Sequence, residues 1–185
     1  MMEHQGAPER KYHRPEAGLT VTDGRIVAGY ASLFGLKDQG GDIVQKGAYA
    51  ASLQRLLGKG ERVKMLWQHD PAQPIGVWDE VREDAQGLWV KGRILTEVEK
   101  GREAAALLTA GAIDGLSIGY RTVKAERDGK GRRLLQELEL WEVSLVTFPM
   151  LPEARVTAKS DAVSDVFREL ANVFEDARRT LAERC

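Results

Sequence analysis

Apolar and polar residues alternate along much of this chain, which is the pattern of β-strands that bury one face. The stretches with this period-two pattern are 25–34, 62–68, 76–82, 88–95, 116–125 and 133–148. Turn residues at 84–87 and at Asp128 and Gly129 predict hairpins between consecutive strands. Because helices do not alternate regularly with the strands, the order predicts an α+β, mostly-β fold. An antiparallel barrel or sandwich is favoured over a doubly wound parallel sheet.

Two segments inside this pattern look helical, and a third follows it. Residues 48–57 precede Gly58, a typical helix stop, and a capping-box pattern at 96–99 predicts a helix that ends before Gly111. Apolar residues at spacings of three and four over 162–183 predict a C-terminal amphipathic helix. Its apolar stripe must bury against the body of the protein or against an attachment partner.

The length of 185 residues fits one domain with a segment at each end. Residues 1–18 are polar and contain Pro8 and Pro15, so they predict a flexible N-terminal tail. Residues 19–156 form the predicted body, and 157–185 form a linker and the C-terminal helix. A body of about 150 residues buries roughly 70% of its unfolded surface, which is enough for a true core.

The charge and composition of the chain narrow its function classes. With 27 basic and 28 acidic residues the net charge is −1, so we expect no direct nucleic-acid binding. No apolar signal region or membrane-length run is present, so we expect neither a secretory signal nor a membrane partner. Three histidines and one cysteine, Cys185, make a poor ligand set, and we expect neither a metal nor a cofactor.

Candidate chemistry centres on Ser117 in the segment GLSIGY, where small neighbours would let a substrate carbonyl approach the hydroxyl. The segment formally matches the G-x-S-x-G nucleophile elbow of α/β-hydrolases, which needs a strand before the serine and a helix after it. Here a predicted helix precedes Ser117, a predicted strand follows it, and no histidine stands C-terminal to it. We therefore reject the α/β-hydrolase interpretation; a serine in a turn without a catalytic role is the alternative.

His69, in the segment WQHDP, is the candidate base, because a hydroxyl is a poor nucleophile at neutral pH until a base takes its proton. The other two histidines, His4 and His13, lie in the predicted tail. The end of a strand that leads into a proline-containing loop is a common position for a functional group. The alternative is a structural histidine that packs beside Trp67 and bonds a backbone carbonyl.

Glu142 is the candidate third member, which would orient the imidazole and stabilise its cation. It shares the apolar face of a strand with its period-two neighbours, Ser144 among them, and a carboxylate there is costly unless it is paired. A glutamate on an edge strand that reaches solvent is the alternative interpretation. Asp70 is a rival third member, but it adjoins His69 in sequence, is poorly placed to reach the ring and is more typical of a turn.

Taken together, these segments resemble the prohead, or capsid-maturation, serine proteases of tailed phages. The likeness covers most of residues 25–156 and comprises, in order, GYASLFG, DQGGDIVQKGAY, LWQHD with PIGVW, the helix before GLSIGY, and LELWEVSLVTFPMLPEA. Because that family is similar in fold to the herpesvirus assemblins, the resemblance implies an antiparallel herpesvirus-protease-like β-barrel with surrounding helices. Assemblins place a histidine, a serine and a second histidine in chain order. Here His69, Ser117 and Glu142 follow that order, with a carboxylate as third member.

The resemblance also implies a function, that of a serine endopeptidase of capsid maturation. Ser117 would be the nucleophile, His69 the general base and acid, and Glu142 the residue that orients the histidine. The implied substrates are scaffold or the scaffold-like N-terminal segment of the major capsid protein, and the protease itself, inside a procapsid in the bacterial cytoplasm. A homo-oligomer is a possible assembly that the resemblance leaves open. The donors to the oxyanion are also open, and the candidate region for them is the turn after strand 140–148, including Arg155.

Two other function classes stay open at this point. A non-catalytic capsid-assembly module on a protease fold predicts that Ser117 and His69 lie far apart or are blocked. A serine esterase of small acyl substrates predicts a closed pocket instead of an open cleft. The sequence does not distinguish a phage from a prophage or a gene transfer element as the source.

Overall fold

The structure, a computed structural model, describes residues 9–13, 20–22, 24–38 and 40–147. Within these residues it contains nine strands and two helices. In chain order they are β1 (Glu9–His13), β2 (Thr20–Thr22), β3 (Ile26–Leu33), β4 (Asp42–Val44), α1 (Ala50–Gly58), β5 (Lys64–Trp67), β6 (Asp70–Glu83), β7 (Gly87–Ile94), α2 (Glu99–Thr109), β8 (Gly115–Arg127) and β9 (Arg133–Val146). The prediction of an α+β, mostly-β fold is confirmed.

The nine described strands form one curled half-barrel sheet in the order β1-β8-β9-β5-β6-β7-β3-β2, with β4 beside β9. Most neighbours are antiparallel, but β9 pairs in parallel with both β4 and β5, which the sequence pattern did not predict. The curl brings β3 against β1 and β8, although these strands stand far apart in the order. β9 is therefore central, with β8 along one side and β4 followed by β5 along the other.

The core of the described residues lies where the two helices pack on the sheet, α1 against β6 and β9 and α2 against β6 and β7. Its members include fully buried strand residues such as Ile75, Leu116 and Leu140. Burial of one such aliphatic side chain contributes roughly 1.5–3 kcal/mol, so the core firmly fixes the strand positions. No helix in the described part of the chain is long and apolar enough to cross a membrane.

The predicted N-terminal tail contains a strand. β1 pairs antiparallel with β8, and in this register Tyr12 lies opposite Ser117 and His13 opposite Leu116. The tail prediction therefore does not hold for Glu9–His13, because backbone pairing with β8 orders a segment whose polar composition gives no sign of it. The limits of the predicted body and linker stay predictions, and the C-terminal helix lies outside the described residues.

The capping-box prediction at residues 96–99 is wrong. α2 begins at Glu99, and its N-cap residue, Val98, makes no side-chain cap hydrogen bond. The preceding residues form a turn in which the Val98 amide donates to the Leu95 carbonyl at 3.1 Å, so the helix starts later than the pattern indicates. The helix itself is confirmed, as are the hairpin turns between β6 and β7 and between β8 and β9.

Candidate active site

The pairing of β8 with β9 arranges the candidate serine and glutamate. In this antiparallel register Ser117 lies opposite Ser144, and Gly119 lies opposite Glu142. Directly opposed residues of two paired strands direct their side chains to the same face of the sheet. One sheet face therefore carries the hydroxyl of Ser117, the carboxylate of Glu142 and the hydroxyl of Ser144.

His69 reaches this face from a tight turn that follows β5. Because β5 runs parallel to β9, its end at Trp67 lies beside Leu145, next to Ser144. Gln68 and His69 then adopt positive φ angles of 53° and 63°, a left-handed conformation that is uncommon for residues other than glycine. Such backbone persists only where surrounding contacts hold it, and it is concentrated at functional sites.

The contacts that hold this turn come from the C-terminal part of β9 and from the residue that follows it. The amide of Gln68 donates to the carbonyl of Leu145 at 3.0 Å, and the amide of His69 donates to Ser144 Oγ at 3.2 Å. The Gln68 side chain adds a link of 2.5 Å from Nε2 to Thr147 Oγ1. The backbone position of His69 is thus fixed relative to β9.

His69 and Glu142 are in direct contact inside the protein. Nδ1 of the ring lies 2.5 Å from Oε1 of the carboxylate, and their side chains are only 3% and 4% exposed. When Nδ1 carries its proton and donates it to Glu142, Nε2 is the ring nitrogen that can accept a proton. The partner of the ring is a carboxylate, not the backbone carbonyl of the alternative interpretation, and Glu142 lies on a central strand instead of a solvent edge.

The second carboxylate oxygen of Glu142 is also bonded. Ser144 Oγ donates to Oε2 at 2.6 Å, while Oε1 meets His69. Gly119 provides the space for this arrangement, because a Cβ atom added there would lie 2.7 Å from both Cγ and Cδ of Glu142. Carbon atoms in contact normally keep about 3.5–4.0 Å apart, so any side chain at position 119 would displace the carboxylate.

Ser117 lies in the interior of the sheet. Its backbone is flanked by β1 on one side and by β9 on the other, opposite Tyr12 and Ser144 respectively. The residue is fully buried. The sheet therefore fixes the direction of its side chain, and that direction is the face that carries the Glu142–His69 pair.

Two other residues considered from the sequence lie outside this arrangement. Asp70 begins β6, and its Oδ1 accepts a hydrogen bond of 2.9 Å from the amide of Ala72, which is the contact of a turn residue. Arg155, in the candidate oxyanion region, lies outside the described residues.

Comparison with known proteins decides the family. The family model described as caudovirus prohead serine protease matches residues 11–168, most of the chain. The chain belongs to this family. The prohead protease of Enterobacteria phage HK97 is 30% identical over 156 residues, which cover 82% of this chain and 68% of that protein. The capsid polyprotein of Pseudomonas phage PAJU2 is 32% identical over 112 residues, 54% of this chain and 17% of the polyprotein.

A solved structure is similar to this prohead protease in fold. The capsid assembly protease of bacteriophage T4 superposes with a TM-score of 0.59 and covers 77% of this chain and 98% of its own. The two sequences are 15% identical, so this likeness shows the fold alone. Family membership confirms the predicted enzyme class, a serine protease of capsid maturation.

Sequence reasoning missed two residues that shape the site, Ser144 and Gly119. A signal for Ser144 was present, since it stands two residues after Glu142 and therefore on the same strand face. For Gly119 the only signal was a glycine two residues after Ser117. A glycine there predicts that some group lies close to the strand backbone, but it does not identify that group as the Glu142 side chain. The left-handed conformation of Gln68 had no signal, because neither glycine nor asparagine occupies the turn.

Proposed function

We propose that this prohead protease hydrolyses peptide bonds with Ser117 as nucleophile, His69 as general base and acid, and Glu142 as the residue that orients the imidazole. The observation that carries the proposal is the buried contact of 2.5 Å between His69 Nδ1 and Glu142 Oε1, on the sheet face that Ser117 shares. A carboxylate in an apolar interior needs a charged or hydrogen-bonded partner. A carboxylate-bound imidazole is the base that activates a serine in serine hydrolases.

In the proposed reaction Ser117 Oγ attacks the carbonyl carbon of the scissile bond while His69 Nε2 takes the hydroxyl proton. The tetrahedral intermediate collapses when Nε2 returns this proton to the nitrogen of the leaving amine, which leaves an acyl-enzyme. Water then attacks the acyl group while His69 Nε2 accepts its proton, and Nε2 returns this proton to Ser117 Oγ as the bond to the acyl group breaks and the acid product leaves. Throughout, Glu142 accepts the Nδ1–H bond and balances the charge of the imidazolium.

The buried state of Ser117 adds a step before this chemistry. A residue with no accessible surface cannot meet a polypeptide carbonyl, so part of the protein has to move before acylation. We propose that this opening precedes each attack on a substrate. Closure around the reacting groups would exclude water and strengthen the electrostatic interactions inside the site.

The proposed substrates are scaffold, the scaffold-like N-terminal segment of the major capsid protein, and the protease itself. Support comes from the family and from two relatives whose names refer to the capsid, a capsid polyprotein and a capsid assembly protease. We place the activity inside the procapsid, in the cytoplasm of the bacterial host. The net charge of −1 favours a protein substrate over nucleic acid, and a homo-oligomer is a further proposal.

We also propose that the curled sheet corresponds to a herpesvirus-protease-like barrel. The chain order of histidine, serine and third member supports this assignment, as does the approach of β3 to β1 and β8. In this comparison Glu142 stands where assemblins use a second histidine. A carboxylate in this role would accept the Nδ1–H bond with a full negative charge.

Substitution of the proposed catalytic residues tests the assignment. We expect Ser117→Ala and His69→Ala each to lower the rate of capsid-protein cleavage by at least about 10³-fold, and the double variant to lose little more, because the groups act as a unit. Glu142→Gln should lose less if the carboxylate mainly orients the ring. The measurement is cleavage of purified major capsid protein that carries its N-terminal segment, followed by gel and mass spectrometry.

Circular dichroism of each variant serves as the control for folding. A folded Ser117→Ala protein that cleaves at the normal rate would exclude Ser117 as the nucleophile. The intact mass of the wild-type and Ser117→Ala proteins separately tests self-cleavage. Trimming of both proteins to the same extent would show that another protease is responsible.

A further inference from the structure

We propose that Ser144 is a positioning residue of this site, whose single hydroxyl fixes both the glutamate and the histidine turn. The inference rests on the proposed function and assigns a role within it. Ser144 Oγ donates to Glu142 Oε2 at 2.6 Å and accepts from the His69 amide at 3.2 Å. A serine hydroxyl has one donor and two acceptor positions, so both bonds form at once.

The two hydrogen bonds of Ser144 hold the two partners of the contact between Glu142 and His69. One holds the carboxylate whose other oxygen lies 2.5 Å from Nδ1, and the other holds the backbone of the residue that carries the ring. Ser144 therefore sets the distance between Glu142 and His69 from both sides. Charge-assisted bonds to a carboxylate are also stronger than neutral ones, so the hydroxyl stabilises the negative charge that balances the imidazolium.

Burial and backbone conformation make this hydroxyl hard to replace. Ser144 is fully buried, so loss of its hydroxyl would leave a buried carboxylate oxygen and a buried amide without the bonds that it provides. His69 and its neighbour Gln68 have left-handed φ angles of 63° and 53°. Backbone in this region needs surrounding bonds to persist, and the bond to Ser144 is one of them.

Ser144→Ala tests the proposal, with Ser52→Ala as its matched control. Ser52 is also buried, at 1% exposure, and its hydroxyl also bonds to β9, accepting from the Leu140 amide at 2.9 Å. The readout is the second-order rate constant, at low probe concentration, for labelling of Ser117 by a fluorophosphonate. We expect a fall of about 10- to 100-fold for Ser144→Ala and less than about threefold for Ser52→Ala.

Peptide cleavage provides a second readout that loss of stability alone would not produce. For Ser144→Ala we expect kcat to fall by the same factor as the labelling rate while KM stays within about twofold, because the hydroxyl positions the reacting groups and does not touch the substrate. A merely structural role would instead lower the fraction of protein that can be labelled, with an unchanged rate for the remainder. That second pattern would overturn the proposal.

A double-mutant cycle with Glu142→Gln tests whether Ser144 acts on the labelling rate through the Glu142 carboxylate. Because Ser144 acts on the carboxylate, we expect Ser144→Ala to have a clearly smaller effect in the Glu142→Gln protein than in the wild type. An equal factor in both backgrounds would show that Ser144 does not act through the Glu142 carboxylate, and would overturn the proposal that one hydroxyl fixes both groups. If Ser144→Ala does not fold, Ser144→Cys replaces it, since a thiol of similar size is a weak donor; normal labelling of that folded variant would also overturn it.

The wild-type protein distinguishes failure of this inference from failure of the proposed function. Absence of label on wild-type Ser117, with the protein folded and active on capsid protein, would contradict the proposed nucleophile. Label on wild-type Ser117 together with an equally fast Ser144→Ala would contradict only the role of Ser144.

Discussion

Gly119 has no side chain, and the Glu142 side chain occupies the space beside it. A Cβ atom at position 119 would come closest to Oε1, the oxygen that meets Nδ1 of His69. The atoms that this Cβ would meet all belong to the Glu142 side chain, across the β8–β9 pairing, so the side chain would have to shift. At the scale of single residues, the position of the carboxylate thus depends on the absence of one methyl group.

We therefore expect Gly119→Ala to move the Glu142 carboxylate and to lower the cleavage rate by roughly 10- to 100-fold, since displacement of a catalytic group by about 1 Å has effects of this size. Rates on capsid protein and thermal unfolding are measured together. Gly129→Ala is the matched control, because a Cβ atom there would have no neighbour within 4 Å. A Gly119→Ala protein with the wild-type rate would show that the carboxylate position is not required.

The contact between His69 and Glu142 could be predicted from the sequence, because a carboxylate on an apolar strand needs a partner and one histidine stood inside the predicted body. The contributions of Ser144 and Gly119 could not. The bond of Ser144 to the His69 turn depends on the pairing of β5 with β9, and the approach of Gly119 to Glu142 depends on the pairing of β8 with β9. A shift of one residue in a register would turn every side chain of a strand to the other face. The sequence pattern indicates that two strands pair but does not select among neighbouring registers.

At the scale of elements, Asp84 holds the turn between β6 and β7 and ties it to β3. Its Oδ1 accepts from the amides of Gln86 and Gly87 at 2.8 and 3.2 Å. Its Oδ2 accepts from the Tyr30 hydroxyl at 2.8 Å and from Arg82 Nη1 at 2.6 Å. Burial acts to raise the pKa of Asp84, but these hydrogen bonds outweigh it and lower the pKa to about 2.

Because the pKa of Asp84 is lowered, the stabilisation that its carboxylate gives to the turn depends on pH. The ordinary value is 3.8, so the stabilisation is complete above about pH 4 and is lost as the pH falls through about 2. We expect Asp84→Asn to lower the free energy of unfolding at pH 7 by about 1–2 kcal/mol, and this deficit to shrink below about pH 4. Urea unfolding of variant and wild type across this range measures the difference.

Asp79→Asn on the same hairpin is the control for that series. Asp79 makes an ion pair of 3.4 Å with Arg93, and both side chains are largely exposed. Such exposed pairs contribute little, so its deficit should be small at every pH. A deficit of Asp84→Asn that stays constant down to pH 2 would contradict the assigned role of the carboxylate.

Elements with local chemical signals were predictable, and elements defined by distant partners were not. The hairpin turns depend on residues close in sequence, such as Asp84 and Asp128, and both hairpins are present. β1 exists through its pairing with β8, more than 100 residues away in the chain, and the parallel position of β5 on β9 is equally non-local. The alternation of apolar and polar residues identifies strands, but it carries no information about the order of these strands in the sheet.

At the scale of the whole molecule, the N-terminal strand protects the interior of the sheet. β1 pairs with β8 from Leu116 to Tyr120, so its removal would leave the backbone of Ser117 on an open sheet edge. Open edges expose unpaired amide and carbonyl groups and promote association between chains. The strand Glu9–His13 is therefore part of the folded sheet.

We expect deletion of residues 1–13 to lower the melting temperature by about 3–10 °C and to increase light scattering on heating, relative to deletion of residues 1–8, which keeps β1. Capsid-protein cleavage should fall in parallel. Differential scanning calorimetry and light scattering of the two truncated proteins make the comparison. Equal melting temperatures would show that β1 adds nothing to the stability of the sheet.

The central position of β9 has a consequence for the moment at which activity can begin. Glu142 and Ser144 lie on this last strand of the described chain, and the same strand positions the turn of His69. In the proposed mechanism, a growing polypeptide on the ribosome therefore carries Ser117 and His69 for some time without Glu142 and Ser144, and incomplete chains are inactive. Pairing of β9 with strands made much earlier is also a slow, long-range step. Synthesis itself thus imposes a delay before the first peptide bond can be cut.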